Sequence, residues 1–467
     1  MAAPLHVRRF STDPPLSRRA SIPTVICRAA KHAYRWSTSL RPLILELVFP
    51  QVIIGSTHAG RIFFGYGVTW LVMLLRMAFF ATALLPGFLQ LIYYYVRSHE
   101  VVRGVRFGGN ARNSLDMYVP SGANKAPVFI FFTGGAWIIG YKAWGALLGK
   151  TLCSCGVLVV CPDYRNFPNG RVGDMLVDVD GAIDWVFSHI ETYGGDAANV
   201  TLGGQSAGAH LAALALVRRC QLSVPTTRGK ARVERLSQAA MTDIPDLQHE
   251  VGGWWPSQFK ACVLISGAFD LVSLSPHMHA RGLSTAVMHA IFHVSDDLAA
   301  AAASGNNIDA DGCPRPNRTT TFDARAVLPK SSLLSEMALD EAARRLRACS
   351  PTLLVEHFAS SPAASLLGQL PPITLLHGTS DKTCPHAQSE CFHANLLRAG
   401  VAPDRCVLKL FEGKTHTSPI LEDPMSGNDP MLVDLVHAIL GRPAEGTTSR
   451  PLCPKILVDF ARWVGPF

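Results

Sequence analysis

The segment Asn199-Val-Thr-Leu-Gly-Gly-Gln-Ser-Ala-Gly-Ala-His210 organises the rest of this 467-residue chain. A short run of β-forming residues breaks into Gly204-Gln-Ser-Ala-Gly208 and continues as an alanine- and leucine-rich helix, so the segment predicts a strand, a tight turn and a helix. In such a turn a side chain at either glycine would collide with a neighbouring strand or helix. The pattern therefore predicts that Ser206 is an exposed nucleophile; the alternative is a glycine-rich turn with a surface serine.

Outward from this segment, apolar runs alternate with helical patterns from residue 98 onward. Such alternation is typical of a mostly parallel central sheet with helices on both faces. The periodicity predicts helices over Asp174 to Thr192, Ser206 to Arg218 and His386 to Ala399. The predicted strands are Asp116 to Val119, Val128 to Phe132, Val157 to Cys161, Val200 to Leu202, Ala261 to Ile265, Ile373 to Leu376 and Cys406 to Phe411.

Composition excludes two broad classes of protein. With 48% hydrophobic and 17% charged residues, the chain can bury a large core and is not intrinsically disordered. The net charge of +8 is local: residues 1–42 hold eight Arg or Lys and the single acid Asp13, so the tail supplies +7 and the remaining chain about +1. This distribution indicates a tail near an anionic membrane or a targeting signal, resembling a transit peptide, and no nucleic-acid-binding face.

Residues 43–97 form an apolar segment that we expect to be helical and membrane-associated. Ile62 to Leu75 is uncharged, and Met77 to Val96 provides twenty uncharged residues ending in three tyrosines. Pro86-Gly87 interrupts the second stretch. The alternatives are a hairpin of two spans, which would put the basic tail and the catalytic domain on the cytosolic side, and a helical pair that is buried or lies on the interface.

The remaining domain organisation follows from composition. We assign residues 98–445 to a catalytic domain and 446–467 to a C-terminal extension. Two insertions, about 221–256 and 275–369, interrupt the alternation and are placed to form a lid; within the second, the low-complexity stretch Ala299 to Thr321 is expected to be partly disordered.

Twelve cysteines occur without C-x-x-C pairs in a chain too large to need disulfides, which favours a reduced, cytosol-facing domain. Cys153 and Cys155 are predicted to point the same way on a strand or its approach. Two ligands without nearby partners do not make a zinc site, so no metal and no cofactor is expected.

Acyl transfer by a serine also needs donors for the developing oxyanion. Phe131-Phe-Thr-Gly-Gly-Ala-Trp137 follows a predicted strand, and its glycines allow backbone N–H groups to turn inward. Gly134, Gly135 and Ala136, together with the N–H of Ala207 after the nucleophile, are the candidate oxyanion hole. The alternative is a simple turn at the end of a strand.

A base and an orienting carboxylate complete the predicted constellation. Asp381 follows the strand at 373–376, and His416 follows the last strand. Asp270 is a serious rival for the acid, and Glu412 a weaker one. The order Ser206, Asp381, His416 is that of α/β-hydrolases. Of the other histidines, we expect His210 to pack against the sheet and His377 to be structural.

Five motifs together resemble the plant-type isoprenylcysteine methylesterases, which are membrane-associated members of the α/β-hydrolase superfamily. The Thr-Gly-Gly-Ala-Trp form of the oxyanion loop is the most discriminating of them, and the similarity covers roughly residues 50–440. The motifs are Phe132-Thr-Gly-Gly-Ala-Trp-Ile-Ile-Gly-Tyr-Lys-Ala-Trp144, Pro162-Asp-Tyr-Arg-Asn-Phe-Pro168, Gly203-Gly-Gln-Ser-Ala-Gly-Ala-His210, His279-Ala-Arg-Gly-Leu283 and Glu412-Gly-Lys-Thr-His-Thr417.

The resemblance implies hydrolysis of the methyl ester on C-terminal prenylcysteine, with prenylated protein C-termini or prenylcysteine methyl esters as substrates. It also implies endoplasmic reticulum or Golgi membranes as the location, and the basic tail leaves plastids as an alternative. Chemistry alone does not separate this activity from that of a broad carboxylesterase or lipase, because the pocket lining sets substrate choice. A third hypothesis is a non-catalytic receptor with the same fold.

Overall fold

An eight-stranded sheet forms the centre of the protein in the computed structural model, which describes residues 75–222, 253–292, 336–359, 362–441 and 450–465. The strands are β1 Val101–Arg106, β2 Ser114–Tyr118, β3 Ala126–Phe132, β4 Leu158–Pro162, β5 Gly195–Gln205, β6 Phe259–Ile265, β7 Ile373–Gly378 and β8 Cys406–Phe411. Their spatial order is β1-β2-β4-β3-β5-β6-β7-β8. Strand β2 runs antiparallel to β1 and β4, and the other neighbours are parallel. The predicted α/β-hydrolase fold with a mostly parallel sheet is confirmed.

All seven predicted strands are present, and β1 is an eighth that the sequence pattern did not indicate. Strand β1 pairs only with β2, at the edge of the sheet, and none of its residues is fully buried. Its sequence, VVRGVR, therefore lacks the regular apolar alternation by which a half-buried strand is recognised.

Helices cover both faces of the sheet because alternate strand residues point to opposite sides. In β3, Val128, Ile130 and Phe132 join one buried apolar cluster, while Phe129 and Phe131 join another. The described helices are α1 Leu75–Ala83, α2 Leu85–Arg97, α3 Ala146–Ser154, α4 Val172–His189, α5 Ala207–Leu222, α6 Leu271–Ala280, α7 Thr285–Ile291, α8 Glu336–Ala348, α9 Pro351–Ala359, α10 Ala387–Arg398, α11 Asp423–Ser426, α12 Pro430–Leu440 and α13 Lys455–Val464.

Helices α1 and α2 replace the uninterrupted helix considered for Met77 to Val96. Proline at the second position of α2, Pro86, has no N–H to continue a helical ladder, and the two axes meet at 64°. In the part of the chain that the structure describes, no single helix has both the length and the apolar character to cross a membrane; the bent pair has them only jointly. Residues 1–42 and most of the apolar segment, 43–74, lie outside the described residues.

The predictions for Cys153 and Cys155 and for the second insertion can also be compared with the structure. Cys153 belongs to α3 and Cys155 follows that helix, so the prediction of a shared strand face is wrong. The described parts of the second insertion comprise the end of α6, helices α7 to α9 and a 3-10 helix at Pro362–Gln369. Residues 223–252 of the first insertion and 293–335 of the second, including the low-complexity stretch, lie outside the description.

Candidate active site

The turn that carries Ser206 lies between β5 and α5. Ser206 has a φ of 55°, in the left-handed region that L residues rarely adopt. A Cβ on Gly204 would lie 2.5 Å from the carbonyl carbon of Gly208, and one on Gly208 would lie 2.0 Å from the carbonyl oxygen of Phe132. The two glycines thus let the helix start directly against β5 and β3, which presents Ser206 at the carboxyl end of the sheet.

His416 and Asp381 meet at the same end of the sheet, on the loops after β8 and β7. Nδ1 of His416 lies 2.7 Å from Oδ2 of Asp381. Because a carboxylate accepts, His416 donates through Nδ1–H, and its Nε2 carries the lone pair that a general base needs. The histidine is only 7% exposed, so water does not compete freely for this hydrogen bond.

Asp381 is held as an anion by four contacts. Its Oδ1 accepts from the backbone N–H groups of Thr383 and Cys384 at 2.9 and 2.8 Å, and Oδ2 also lies 3.2 Å from His377 Nε2. Burial alone would raise the pKa of Asp381, but the charge of His416 and the hydrogen bonds from both histidines outweigh it and hold that pKa well below its usual range. Asp381 therefore stays ionised next to His416 at all pH values of interest.

The other two candidate acids, Asp270 and Glu412, lie in different surroundings. Oδ1 of Asp270 accepts from the N–H groups of Val272 and Ser273 at 3.0 and 3.3 Å, so this carboxylate caps α6. Glu412 is exposed. Of the three carboxylates weighed from the sequence, the structure brings Asp381 to His416.

The loop after β3, the candidate oxyanion loop, passes directly beside the serine turn. A Cβ on Gly134 would lie 2.2 Å from Oε1 of Gln205 and 3.0 Å from the Cβ of Ser206. The following residues Gly135, Ala136 and Trp137 have φ values of 129°, 49° and 62°. Ala207 opens α5, where N–H groups of the first turn have no acceptor within the helix. The four residues predicted to surround an oxyanion thus lie on two adjoining segments next to Ser206.

Side chains from two other segments hold this loop at its far end. The carbonyl oxygen of Gly140 accepts from Nδ2 of Asn166 at 2.7 Å and from Nη2 of Arg112 at 2.5 Å. The hydroxyl of Tyr164 donates to the carbonyl oxygen of Thr133 at 2.9 Å. Because Thr133 and Gly140 bracket the loop, these bonds determine where its N–H groups point.

Gln205, the variable residue of the G-x-S-x-G pattern, connects the two halves of the site. Its Nε2 lies 3.1 Å from Nε2 of His416 and 3.4 Å from the His416 carbonyl oxygen, and its side chain is buried. Since Nε2 of His416 carries no proton when Nδ1 donates to Asp381, the Gln205 amide donates to it. This hydrogen bond must give way before Nε2 can accept a proton from Ser206. The same side chain also contacts Gly134.

Several of these contacts were not foreseen. Gln205, Asn166 and Tyr164 all lie within motifs quoted above, yet the spacing of a motif does not indicate which member touches which. His210, expected to pack against the sheet, is buried and also bonds to Trp137 and to the carbonyl oxygen of Cys349. His377 is buried and bonds to Ser389 and the Cys384 carbonyl oxygen. Within the described ranges, no group of three or more His, Cys, Asp or Glu is arranged to hold a metal ion.

Comparison with known proteins adds to this geometry. A family model described as BD-FAE matches residues 115–315. The chain is 33% identical over 462 residues to an isoprenylcysteine alpha-carbonyl methylesterase of Arabidopsis thaliana, covering 97% of this chain and 90% of that protein. It is 34% identical over 414 residues to a probable isoprenylcysteine alpha-carbonyl methylesterase of Oryza sativa subsp. japonica, covering 87% and 80%. Among solved structures, a thermophilic esterase of Thermogutta terrifontis matches 75% of this chain and 97% of its own at 20% identity, with a TM-score of 0.42.

Proposed function

Because the chain belongs to the isoprenylcysteine alpha-carbonyl methylesterase family and is an ester hydrolase, we propose that it hydrolyses the methyl ester of C-terminal isoprenylcysteine on prenylated proteins. The observation that carries the hydrolytic chemistry is the buried 2.7 Å hydrogen bond between His416 and Asp381, at the sheet edge that also carries Ser206. The names of the relatives support the substrate class. The relatives named as ester hydrolases do not support the alternative of a non-catalytic receptor.

In the proposed acylation step, Oγ of Ser206 attacks the ester carbonyl carbon. Nε2 of His416 takes the hydroxyl proton, and the Asp381 carboxylate stabilises the imidazolium that forms. The carbonyl π electrons move to the oxygen, which accepts hydrogen bonds from backbone N–H groups among Gly134, Gly135, Ala136 and Ala207. Collapse of the tetrahedral intermediate breaks the bond to methoxide, which leaves as methanol with the proton from His416.

In the proposed deacylation step, water replaces methanol. Nε2 of His416 takes a proton from the water, whose oxygen attacks the acyl-enzyme carbonyl carbon. The second tetrahedral intermediate collapses, and Oγ of Ser206 leaves with the proton from His416. The product is the free carboxylate of the prenylcysteine, and Ser206 is regenerated.

Replacing Ser206 by Ala tests the chemistry. We expect kcat for a farnesylcysteine methyl ester to fall by several decades, because the covalent route is lost while binding is retained. A fluorophosphonate probe should label the wild-type protein and not the variant. Substantial ester hydrolysis by Ser206→Ala, or wild-type protein that never labels, would overturn the assignment of Ser206.

Substrate choice requires a separate comparison. We expect a farnesylcysteine methyl ester to have a higher kcat/KM than a short-chain nitrophenyl ester or an acylglycerol, each measured with the same enzyme preparation. Preference for the short ester would instead favour a broad carboxylesterase, and preference for the acylglycerol would favour a lipase. In either case the triad assignment would stand and the prenylcysteine proposal would fail.

A prenylated substrate resides in a membrane, and we propose that the enzyme binds the same membrane through α1 and α2, which precede the sheet, and α13, which follows it. Arg76 donates to the carbonyl oxygens of Val464 and Gly465, each at 2.8 Å, which ties α1 to the end of α13. The amide of Gln90 in α2 donates to the carbonyl oxygen of Leu452 at 2.8 Å. Most exposed side chains of these helices are apolar, although Asp459 and Lys455 are also exposed on α13. The exposed apolar side chains include Met77, Phe79, Leu85, Leu89, Ile92, Tyr93, Val96, Ile456, Phe460 and Trp463.

The α13 face provides the test of this surface. Ile456 is 78% exposed, and Phe460 and Trp463 follow at helical spacing on the same side. Replacing these three by Ser should release the protein from sedimenting phospholipid vesicles while leaving hydrolysis of a soluble nitrophenyl ester unchanged. Val433→Ser, which alters an exposed apolar residue of α12, is the matched control. Unchanged sedimentation of the triple variant would overturn the role of α13.

For location, we propose endoplasmic reticulum or Golgi membranes with the catalytic domain facing the cytosol. All ten cysteines in the described ranges are free thiols, in keeping with a reducing compartment. Carbonate extraction and protease protection of tagged termini test the proposal. Protection of the catalytic domain inside the lumen would overturn the topology, and import into plastids would favour a transit peptide in residues 1–42.

A further inference from the structure

Three consecutive residues of the candidate oxyanion loop have positive φ values. Gly135 tolerates this conformation, but Ala136 at 49° and Trp137 at 62° carry side chains that disfavour it. Such a backbone persists only where its surroundings hold it. Trp137 is 2% exposed, so the contacts that hold it are internal.

His210 supplies the polar contact to the Trp137 side chain. The indole Nε1–H of Trp137 donates to Nδ1 of His210 at 3.2 Å, and the two rings meet edge to face with centroids 5.2 Å apart. Trp137 has a second anchor in its backbone, where its carbonyl oxygen accepts from Phe167 N–H at 2.8 Å. Both ends of this residue are thus fixed.

The other side of the His210 ring reaches the insertion. Nε2 of His210 lies 2.8 Å from the carbonyl oxygen of Cys349, in the short connection between α8 and α9. Because a carbonyl only accepts, Nε2 carries the proton and Nδ1 is free to accept from Trp137. The ring is fully buried, and burial lowers the pKa of His210 to about 4, so the neutral tautomer persists at neutral pH.

His210 also belongs to the nucleophile helix. Its backbone N–H donates to the carbonyl oxygen of Ser206 at 3.0 Å, in the first turn of α5. Phe292, at the end of α7, packs edge-on against both His210 and Trp137, with centroids 5.6 and 5.1 Å away. One imidazole therefore joins the serine helix, the oxyanion loop and two segments of the insertion.

We propose that His210 is a positioning residue for the oxyanion loop: its ring fixes Trp137, and hence the N–H groups of Gly135 and Ala136, relative to Ser206, and its bond to Cys349 couples the insertion to that loop. The inference rests on the proposed serine esterase mechanism. It assigns to His210 no contact with substrate. It also predicts that a substitution in the insertion near Cys349 lowers kcat.

Two substitutions separate the two bonds of the ring. In His210→Asn, Oδ1 can occupy the place of Nδ1 and accept from Trp137, whereas the bond to Cys349 is lost. In His210→Gln, Nε2 can replace the ring Nε2 and donate to Cys349, whereas the acceptor for Trp137 is lost. We expect kcat to fall roughly 10- to 100-fold in His210→Gln, less than for outright loss of an oxyanion donor, and only a few-fold in His210→Asn.

The readouts separate positioning from stability. Because the oxyanion forms only in the transition state, KM and the extent of fluorophosphonate labelling should change little while kcat falls. Trp137→Phe removes the same N–H from the other side and should lower kcat similarly, and combining it with His210→Gln should add little further loss.

Three outcomes would overturn the inference. They are wild-type kcat in folded His210→Gln, equal losses in the Asn and Gln variants that parallel their thermal midpoints, and fully additive losses in the double variant. Failure of the wild-type protein to hydrolyse any ester would instead overturn the proposed function. If His210→Gln does not fold, Trp137→Phe alone decides, by its kcat against its KM.

Discussion

Two regions flank Ser206, and they are built on different principles. The base side, formed by the loops after β7 and β8, relies on ionisable side chains: Asp381 pairs with His416 and is buried with its charge compensated. The oxyanion side, formed by the loop after β3, relies on backbone conformation at Gly134 to Trp137, supported from behind by Asn166, Tyr164 and Arg112. On the base side, a substitution that removes charge but keeps side-chain shape should therefore lower kcat. On the oxyanion side, a substitution that changes shape but not charge should lower kcat.

The largest expected effect is on the base side. Asp381→Asn keeps the shape of the side chain and removes its charge, so the imidazolium of His416 loses its partner and the useful tautomer loses its acceptor. We expect kcat to fall roughly 10⁴-fold at neutral pH. Asp270→Asn is the matched control; it weakens only the cap of α6 and should stay within a few-fold of wild type. Similar losses of kcat in both variants would overturn the assignment of Asp381 as the carboxylate that orients His416.

A methyl group should suffice to disable the oxyanion side. In Gly134→Ala the added Cβ would lie 2.2 Å from Oε1 of Gln205, so the loop or the serine turn must shift. We expect kcat to fall roughly 10²- to 10³-fold with the protein still folded, comparable to loss of one oxyanion donor. Gly173→Ala adds the same methyl in α4, where a Cβ would meet nothing within 4 Å, and should leave kcat unchanged. Wild-type kcat in Gly134→Ala would show that this loop does not bind the oxyanion.

Gln205 contacts both regions, so a substitution there can separate the effect of charge from the effect of side-chain shape. Gln205→Glu has nearly the same shape and puts a carboxylate 3.1 Å from Nε2 of His416, which favours the protonated imidazole that cannot act as a base. The acid limb of the kcat/KM profile should move to higher pH by about one unit, with little change at alkaline pH. A profile that is lowered at every pH without a shift would mean that Gln205 serves only shape.

Two buried carboxylates also affect stability, and their contributions have opposite signs in the two regions. Burial raises the pKa of Asp163, which accepts from Lys142 N–H and pairs with Arg112, to about 6 against a usual 3.8. Below about pH 4 the Asp163 carboxyl is protonated in both the native and the unfolded state. Between about pH 4 and 6 only the unfolded state loses this proton. The free energy of unfolding therefore falls as pH rises through this range, by up to about 3 kcal/mol. Asp381, with its lowered pKa, instead contributes stability above its usual pKa that is lost as pH falls through its lowered value.

Thermal midpoints measured from about pH 2 to 7 distinguish these signs. The thermal midpoint of Asp163→Asn should rise relative to that of wild type between about pH 4 and 6. The deficit of Asp381→Asn should be full above about pH 4 and should shrink as pH falls below it. Parallel curves for wild type and Asp163→Asn would contradict the raised pKa of Asp163.

Sequence pattern alone determined the order of the strands along the chain and the position of Ser206 at the turn between β5 and α5. Both depend on short-range rules: apolar periodicity distinguishes strands from helices, and a G-x-S-x-G turn needs glycines wherever β5, β3 and α5 approach one another. The same rules missed β1, because an edge strand with few buried residues carries little apolar pattern. They also misplaced Cys153, because a short apolar segment reads equally as a strand or a buried helix.

The partners of each side chain were decided by tertiary structure alone. Asp381 and Asp270 both follow strands at the carboxyl edge of the sheet, and only the packing of the loop after β8 puts His416 beside the former while the latter caps α6. Likewise, His210 and Trp137 are 73 positions apart, and they meet because β3 and β5 are neighbours in the sheet. Contacts between residues distant in sequence arise from the closure of the whole fold, and no local pattern in the chain encodes them.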